Sequence, residues 1–291
     1  MMREDKMAET EKKVAYSSIP MRTWRWLGIN TAYLPEHIPE TTPIENVKNI
    51  KVEPGQTANV TVVYRDEQRA EIHADVGDGA TLNLIKVQIV GSDMNHVDSF
   101  DVKAGKEAHV NYTAVEVGGA TTEAKFNIDL AGDNSSADVW ALYFGDKDRS
   151  IDLNYVITQR GKNTDANMQV RGALKDKSQK IFRGTLDFLE GTKGSVGREN
   201  EEAILLNEGV RNRSVPIMLS HEEEVDGHHA VSIGKMDEEK LFYLMSRGLN
   251  LAEAQRLVVD ASFAPVLDRI TDESLRTEVS DYLKGRISDG E

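Results

Sequence analysis

The feature that most constrains this chain is a turn that recurs, each time closing on an alanine that opens a strand. Gly77-Asp78-Gly79-Ala80, Gly105-Lys106-Glu107-Ala108, Asn134-Ser135-Ser136-Ala137 and Asn163-Thr164-Asp165-Ala166 place those alanines 28, 29 and 29 residues apart. The stretches between them alternate with period two: Val60, Val62 and Tyr64; Leu82 and Leu84, then Val87 and Ile89; Val115 and Val117; Ile151, Leu153, Tyr155 and Ile157. Strand-and-turn units repeating at near-constant length predict the coils of a β-solenoid, each burying its apolar face on the next. A β-sandwich also gives short strands with frequent turns; the constancy of the interval favours the solenoid.

Around this body the pattern changes. Residues 1–13 are charged and read as a solvated arm, with no apolar stretch that would make a signal peptide or an anchor. Ile19 to Pro35, holding Trp24, Trp26, Leu27 and Tyr33, predicts a helix or two; Pro39 and Pro43 mark a linker. From Asp237 the period turns helical. Asp237 is an N-cap, Leu241, Leu244 and Met245 share a face, and Gly248 ends the first helix. Asn250 with Glu253 forms a capping box for a second that keeps its spacing until Pro265. Leu275, Val279, Tyr282 and Leu283 predict a third from about Thr271. The expected division is an arm and short helical segment (1–48), a β core (49–235) and a C-terminal helical domain (236–291).

Composition narrows function mainly by exclusion. The 291 residues carry a formal charge of −14, unlike a surface built for nucleic acid. There is no cysteine, which removes disulfides, thiolate nucleophiles and a self-contained Cys-ligated cluster. Apolar runs such as Val139 to Phe144 are too short to cross a bilayer, so the expectation is a soluble cytoplasmic protein with no membrane partner. No Walker loop, Gly-x-Ser-x-Gly elbow or His-Glu-x-x-His pair is present, and the chain reads as a non-enzyme. Asp98 with Asp101, and Asp146 with Asp148, lie beside basic residues and read as solvated turns.

One cluster carries possible chemistry: His221, Glu222, Glu223, Glu224, Asp226, His228 and His229. Nitrogen and oxygen donors of this kind suit iron, zinc, nickel or copper. The same residues also make a solvated strand edge with a His–carboxylate pair. On an extended strand His228 and His229 point to opposite faces, so they do not bind one metal together.

Two segments resemble a known family. Gly172–Gly184 (GALKDKSQKIFRG) is similar to a stretch of SufB/SufD proteins, and Ile233–Leu249 (IGKMDEEKLFYLMSRGL) resembles their C-terminal signature more closely still. The helix Ala252–Phe263 continues that likeness, and Arg22–Leu27 is weakly similar to the Trp-containing N-terminal part of SufD. The resemblance implies a mainly β protein: a right-handed parallel β-helix with a short N-terminal helical segment and a C-terminal helical domain. It implies a scaffold of iron–sulfur cluster assembly that dimerises through its β-helices, with itself or with a SufB paralogue. It also implies docking of a SufC-type ABC ATPase on the C-terminal helices, at Leu241, Phe242, Tyr243, Leu244 and Arg247. His229 matches the histidine that helps hold an iron–sulfur cluster shared transiently with the partner. Two departures bring the chain closer to SufD: the SufB-type cysteine is absent, and Ala230 stands where an acidic residue follows the histidine. The competing expectations are a β-helical carbohydrate-active enzyme and a metal-free structural binding module.

Overall fold

The computed structural model describes residues 14–20, 25–33, 46–66 and 68–288. The arm at 1–13, Trp24 and the Pro39/Pro43 linker lie outside these residues. Two short antiparallel strands come first, β1 (Ala15–Ser18) and β2 (Thr31–Tyr33), with a single 3-10 turn at Arg25–Leu27 between them. Within Ile19 to Pro35, whose aromatic spacing predicts a helix or two, the described residues form only that 3-10 turn and β2. β2 pairs with β1, and the chain at β1 is anchored on the solenoid: Tyr16 and Val14 pack on Val97, and the Tyr16 hydroxyl donates to the Asp98 carbonyl.

Fourteen strands follow: β3 (Asn46–Val52), β4 (Thr57–Tyr64), β5 (Gln68–Val76), β6 (Thr81–Gln88), β7 (Asn95–Ala104), β8 (His109–Glu116), β9 (Thr121–Leu130), β10 (Ser136–Gly145), β11 (Ser150–Gln159), β12 (Asp165–Leu174), β13 (Gln179–Phe188), β14 (Val196–Leu205), β15 (Arg211–Ser220) and β16 (Asp226–Lys235). Odd-numbered strands form one parallel seven-stranded sheet and even-numbered strands a second. The chain therefore steps from one sheet to the other and back, which makes a parallel β-solenoid. Inward side chains of both sheets fill a common lumen. Phe100, Phe126 and Tyr155 stack there in register, with Phe126 and Tyr155 ring centroids 4.3 Å apart.

The recurring turn is real, but its register differs from the alanine spacing. Residues with positive φ stand at one corner of successive coils: Gly79, Glu107, Asn134, Asn163 and Gly194. Each donates its backbone N–H to a carbonyl of the next coil, as Glu107 does to Asp133 and Asn134 to Lys162. The buried small residue after each is Ala80, Ala108, Ser135, Thr164 and Ser195. Ala137 instead pairs with Val110, so the third coil is two residues shorter at this corner than the alanines suggest. The conserved physical demand is a left-handed corner followed by a small buried side chain, and Ser or Thr meets it as well as Ala.

Three helices follow, α1 (Glu238–Ser246), α2 (Leu251–Leu267) and α3 (Glu273–Ser288). Asp237 caps α1, and Asn250 with Glu253 forms the capping box of α2. Helix α2 runs on through Pro265 for its last residues instead of stopping there. The helices are not a free bundle. Val259, Phe263 and Val266 of α2 and Leu275, Val279, Leu283 and Ile287 of α3 share one core with Val87, Val115, Leu142, Phe144 and Ala173 on the outside of the even-numbered sheet. Arg286 clamps this layer down by pairing with Asp146.

Two acidic pairs therefore sit differently from the expected solvated turns. Asp98 is buried in the lumen beside Lys86 and His96, and Asp146 is buried between Arg149 and Arg286. Asp101 is half-buried within strand β7, also not in a turn, and Asp148 alone is an exposed turn residue as expected.

Candidate functional site

The last coil of the solenoid differs from the others. Strands β15 and β16 are the edges of their sheets, and β16 is exposed along nearly its whole length. A parallel edge strand presents a row of unpaired backbone N–H and C=O groups, and it invites another strand. Val231 and Ile233 are exposed on it. At this end no further coil covers the lumen, as at the opposite end formed by β3 and β4.

Register places the histidines. His229 lies opposite Glu199 of β14, and His228 opposite Arg198. Glu199 is buried and Arg198 exposed, so the two histidines sit on opposite faces, His229 on the lumen side. His228 pairs with Asp226 at 2.9 Å on the outer, exposed face. The acidic run is largely turn chemistry: Glu222 accepts backbone N–H groups from Gly191 and Glu223, and Glu224 pairs with Lys193 at 2.6 Å. The Glu224 backbone N–H also donates to Glu222, and this bond first, with those from Glu223 and Gly191, holds Glu222 below the usual carboxylate range. Among the described residues no three His, Cys, Asp or Glu side chains converge on a metal-sized space.

Behind His229 the lumen is polar. Lys180 of β13 is fully buried, pairs with Glu201 of β14 and donates to Ser214 Oγ at 2.9 Å. The Tyr143 hydroxyl donates to the same Glu201 oxygen at 2.9 Å. Burial pushes the Lys180 ammonium below its usual value, and the single carboxylate of Glu201 does not offset it. Glu199 stands apart. It is 2% exposed, and neither carboxylate oxygen has a hydrogen-bond partner among the described residues. Burial, with Glu201 adding to it, pushes its pKa up to about 8. Its space is built: a Cβ on Gly184 would collide with the Glu199 carboxylate.

Helix α1 leaves the same end directly after β16. Phe242 is 76% exposed and Tyr243 56%, while Leu241 and Leu244 are half-buried. The Arg247 guanidinium lies over the Tyr243 ring, 5.3 Å from its centroid. No residue of α1 is buried.

Sequence reading singled out His229 and α1 but missed Glu199, Glu201 and Lys180. A signal exists in period two: Glu199 and Glu201 alternate in phase with Ala203 and Leu205, the inward residues of β14. A second is the interval of 30 residues between Glu199 and His229, close to one coil.

Residues 43–262 match the family described as "SUF system FeS cluster assembly, SufBD core domain". Among curated relatives, the chain is 24% identical over 212 residues to the iron-sulfur cluster assembly protein SufD of Bacillus subtilis, covering 72% of this chain and 48% of that protein. It is 26% identical over 222 residues to an iron-sulfur cluster assembly SufBD family protein of Mycobacterium leprae, covering 72% and 57%. A SufBD family protein of Pyrococcus horikoshii is 29% identical over 188 residues, covering 65% and 42%. The chain spans about half the length of these relatives.

Proposed function

The chain belongs to the SufBD family of SUF system FeS cluster assembly, and on that premise we propose that it is a non-catalytic scaffold subunit whose open solenoid end pairs with a second solenoid. The observation that carries this reading is the uncovered edge of β16, with His229 on its lumen side and exposed Val231 and Ile233 beside it. A second copy of this chain, or a SufB paralogue, would continue the two sheets and close the lumen over His229. The expected division at 1–48, 49–235 and 236–291 is carried forward in the same way, with the solenoid end as the working surface. No helix among the described residues is long and apolar enough to cross a membrane; we place the protein in the cytoplasm with the rest of its assembly system.

The cluster is cargo here. His229 offers a neutral imidazole nitrogen, a good ligand for iron. With no cysteine in the chain, sulfur must come from sulfide or from the partner. The exposed face of α1, with Phe242, Tyr243 and Arg247 outward and Leu241 and Leu244 holding the helix down, is the docking surface for a SufC-type ATPase.

The test is reconstitution of the assembled complex with iron and sulfide. Wild type is expected to hold more iron than His229→Ala, while His228→Ala, on the outer face, matches wild type. Equal loading of both variants, with assembly unchanged, makes His229 a structural residue and ends its role as a ligand.

A further inference from the structure

The interior of this solenoid holds a carboxylate that the fold does not use. Ion pairs elsewhere in the lumen close on themselves, Lys180 with Glu201 and Lys86 with Asp98 and Glu116. Glu199 has neither an ion-pair partner nor a hydrogen bond among the described residues, although it is buried. An isolated buried carboxylate is unfavourable by several kcal/mol and contributes nothing to packing that an apolar residue would not. Yet room is made for it by Gly184, where any side chain would displace it. It sits one strand from His229, in register with it and on the same side of the sheet, one coil in from the end formed by β15 and β16. Neighbouring strands lie about 4.8 Å apart, which brings an imidazole and a carboxylate on paired residues within reach of one ion.

We propose that Glu199 is a second protein ligand for ferrous iron at the open end, so that the chain presents one imidazole and one carboxylate from adjacent coils. This rests on the reading of His229 as a ligand. A nitrogen and oxygen pair without thiolate suits Fe(II) before sulfide arrives. Two ligands leave most of the coordination sphere empty, in keeping with the lack of a three-residue cluster and with completion by a partner. The missing counter-charge of Glu199 is then the iron itself.

The experiment uses the full chain, free of metal and without oxygen, titrated with ferrous iron alone and followed by calorimetry and by the iron-induced rise in melting temperature. Glu199→Gln is expected to weaken the tight site at least tenfold and to abolish that rise. Above about pH 8, where Glu199 carries its charge, the metal-free Glu199→Gln protein should melt higher than wild type, because an unpaired buried charge is gone; a merely structural carboxylate would give the opposite. If the amide is not tolerated, Glu199→Leu, apolar and of similar size, must reproduce the loss. His229→Ala is run beside them. Loss in both variants supports both assignments. Loss in His229→Ala with wild-type affinity in Glu199→Gln overturns the Glu199 assignment and leaves His229 standing. Loss in Glu199→Gln alone supports Glu199 as a ligand and removes His229. Wild-type affinity in both overturns both.

Discussion

Two buried lysines sit in the same lumen and are pushed in opposite directions. Lys86, in the early coils, contacts two carboxylates: Asp98 at 2.6 Å, and Glu116. Burial pushes its ammonium down, but Asp98 and Glu116 outweigh burial and hold it well above the usual lysine value. Burial would raise Asp98; Lys86, helped by the His96 ring N–H at 2.8 Å, holds it below the carboxylate range instead. Glu116 goes up with burial and keeps its proton more readily. One ammonium thus faces two carboxylates, Asp98 and Glu116. Lys180, near the open end, has Glu201 alone, and its ammonium falls. The unpaired Glu199 is two residues from Glu201 on the same face of β14. In the early cluster each carboxylate has Lys86 as its ion-pair partner, whereas the late one has a buried carboxylate with none, one coil in from the open end. Completeness marks a group that holds the coil together, and the spare group marks where something else is to be held.

The comparison is most exposed to removal of each lysine. Lys86→Met strands Asp98 and Glu116 in a sealed interior and is expected to destabilise the protein by about 3–5 kcal/mol, as breaking a buried pair does. Lys180→Met should destabilise less, because it strands only Glu201, which keeps the Tyr143 hydroxyl donor. Calorimetric melting of both variants checks this. Equal losses would show that the count of carboxylates does not set the stability of these clusters.

A smaller effect sharpens the contrast through pH. The folded-state value of Lys86 is raised, so its stabilisation is complete below the ordinary lysine pKa of about 10.4 and is lost only above it. The folded-state value of Lys180 is lowered, so the unfolded chain binds the extra proton in the window just below that value. Its contribution therefore grows as pH rises towards about 10.4. Denaturant unfolding from pH 8 to 10 should show a rise in stability for wild type relative to Lys180→Met, and no such rise relative to Lys86→Met. The reverse pattern would exchange the roles of the two lysines.

Why the lumen was hard to read in advance is visible in β6. Leu82 and Leu84 alternate inward, and the apolar pattern then continues at Val87, one residue out of phase. Both faces of the strand are buried there. Val87 packs under α2 and α3, and Ile89 just beyond the strand follows it, so Lys86 and Gln88 are the inward residues. Period two reports which residues are apolar, not which face is the lumen, once helices cover the outside. The solenoid itself was legible because a corner must be built at every coil, whatever the lumen contains. Its register was not, since Ser135 and Thr164 fill the place that Ala80 and Ala108 announce. The opposed faces of His228 and His229 followed from strand geometry alone. The partner of His229 did not, because Glu199 lies a full coil away in sequence.

The smallest effect on stability is expected at the open end's outer surface. Phe242 is one of the largest apolar side chains on α1, yet it lies mostly in solvent, with no buried residue on its helix. Phe242→Ser should therefore change folding stability by no more than about 0.5 kcal/mol, the range of ordinary surface substitutions. Its effect should appear in assembly, where a central aromatic at an interface often costs more than about 2 kcal/mol when truncated. Pull-down of a SufC-type ATPase with wild type and Phe242→Ser separates the two. Removing all of 237–291 would not, because it also strips α2 and α3 from Val87, Val115 and Leu142 and exposes a core. If Phe242→Ser keeps the ATPase at full affinity, the α1 face is not the docking surface. If it melts early instead, α1 belongs to the fold as Lys86 does, and the contrast between the Lys86 cluster and a working end at β16 no longer holds.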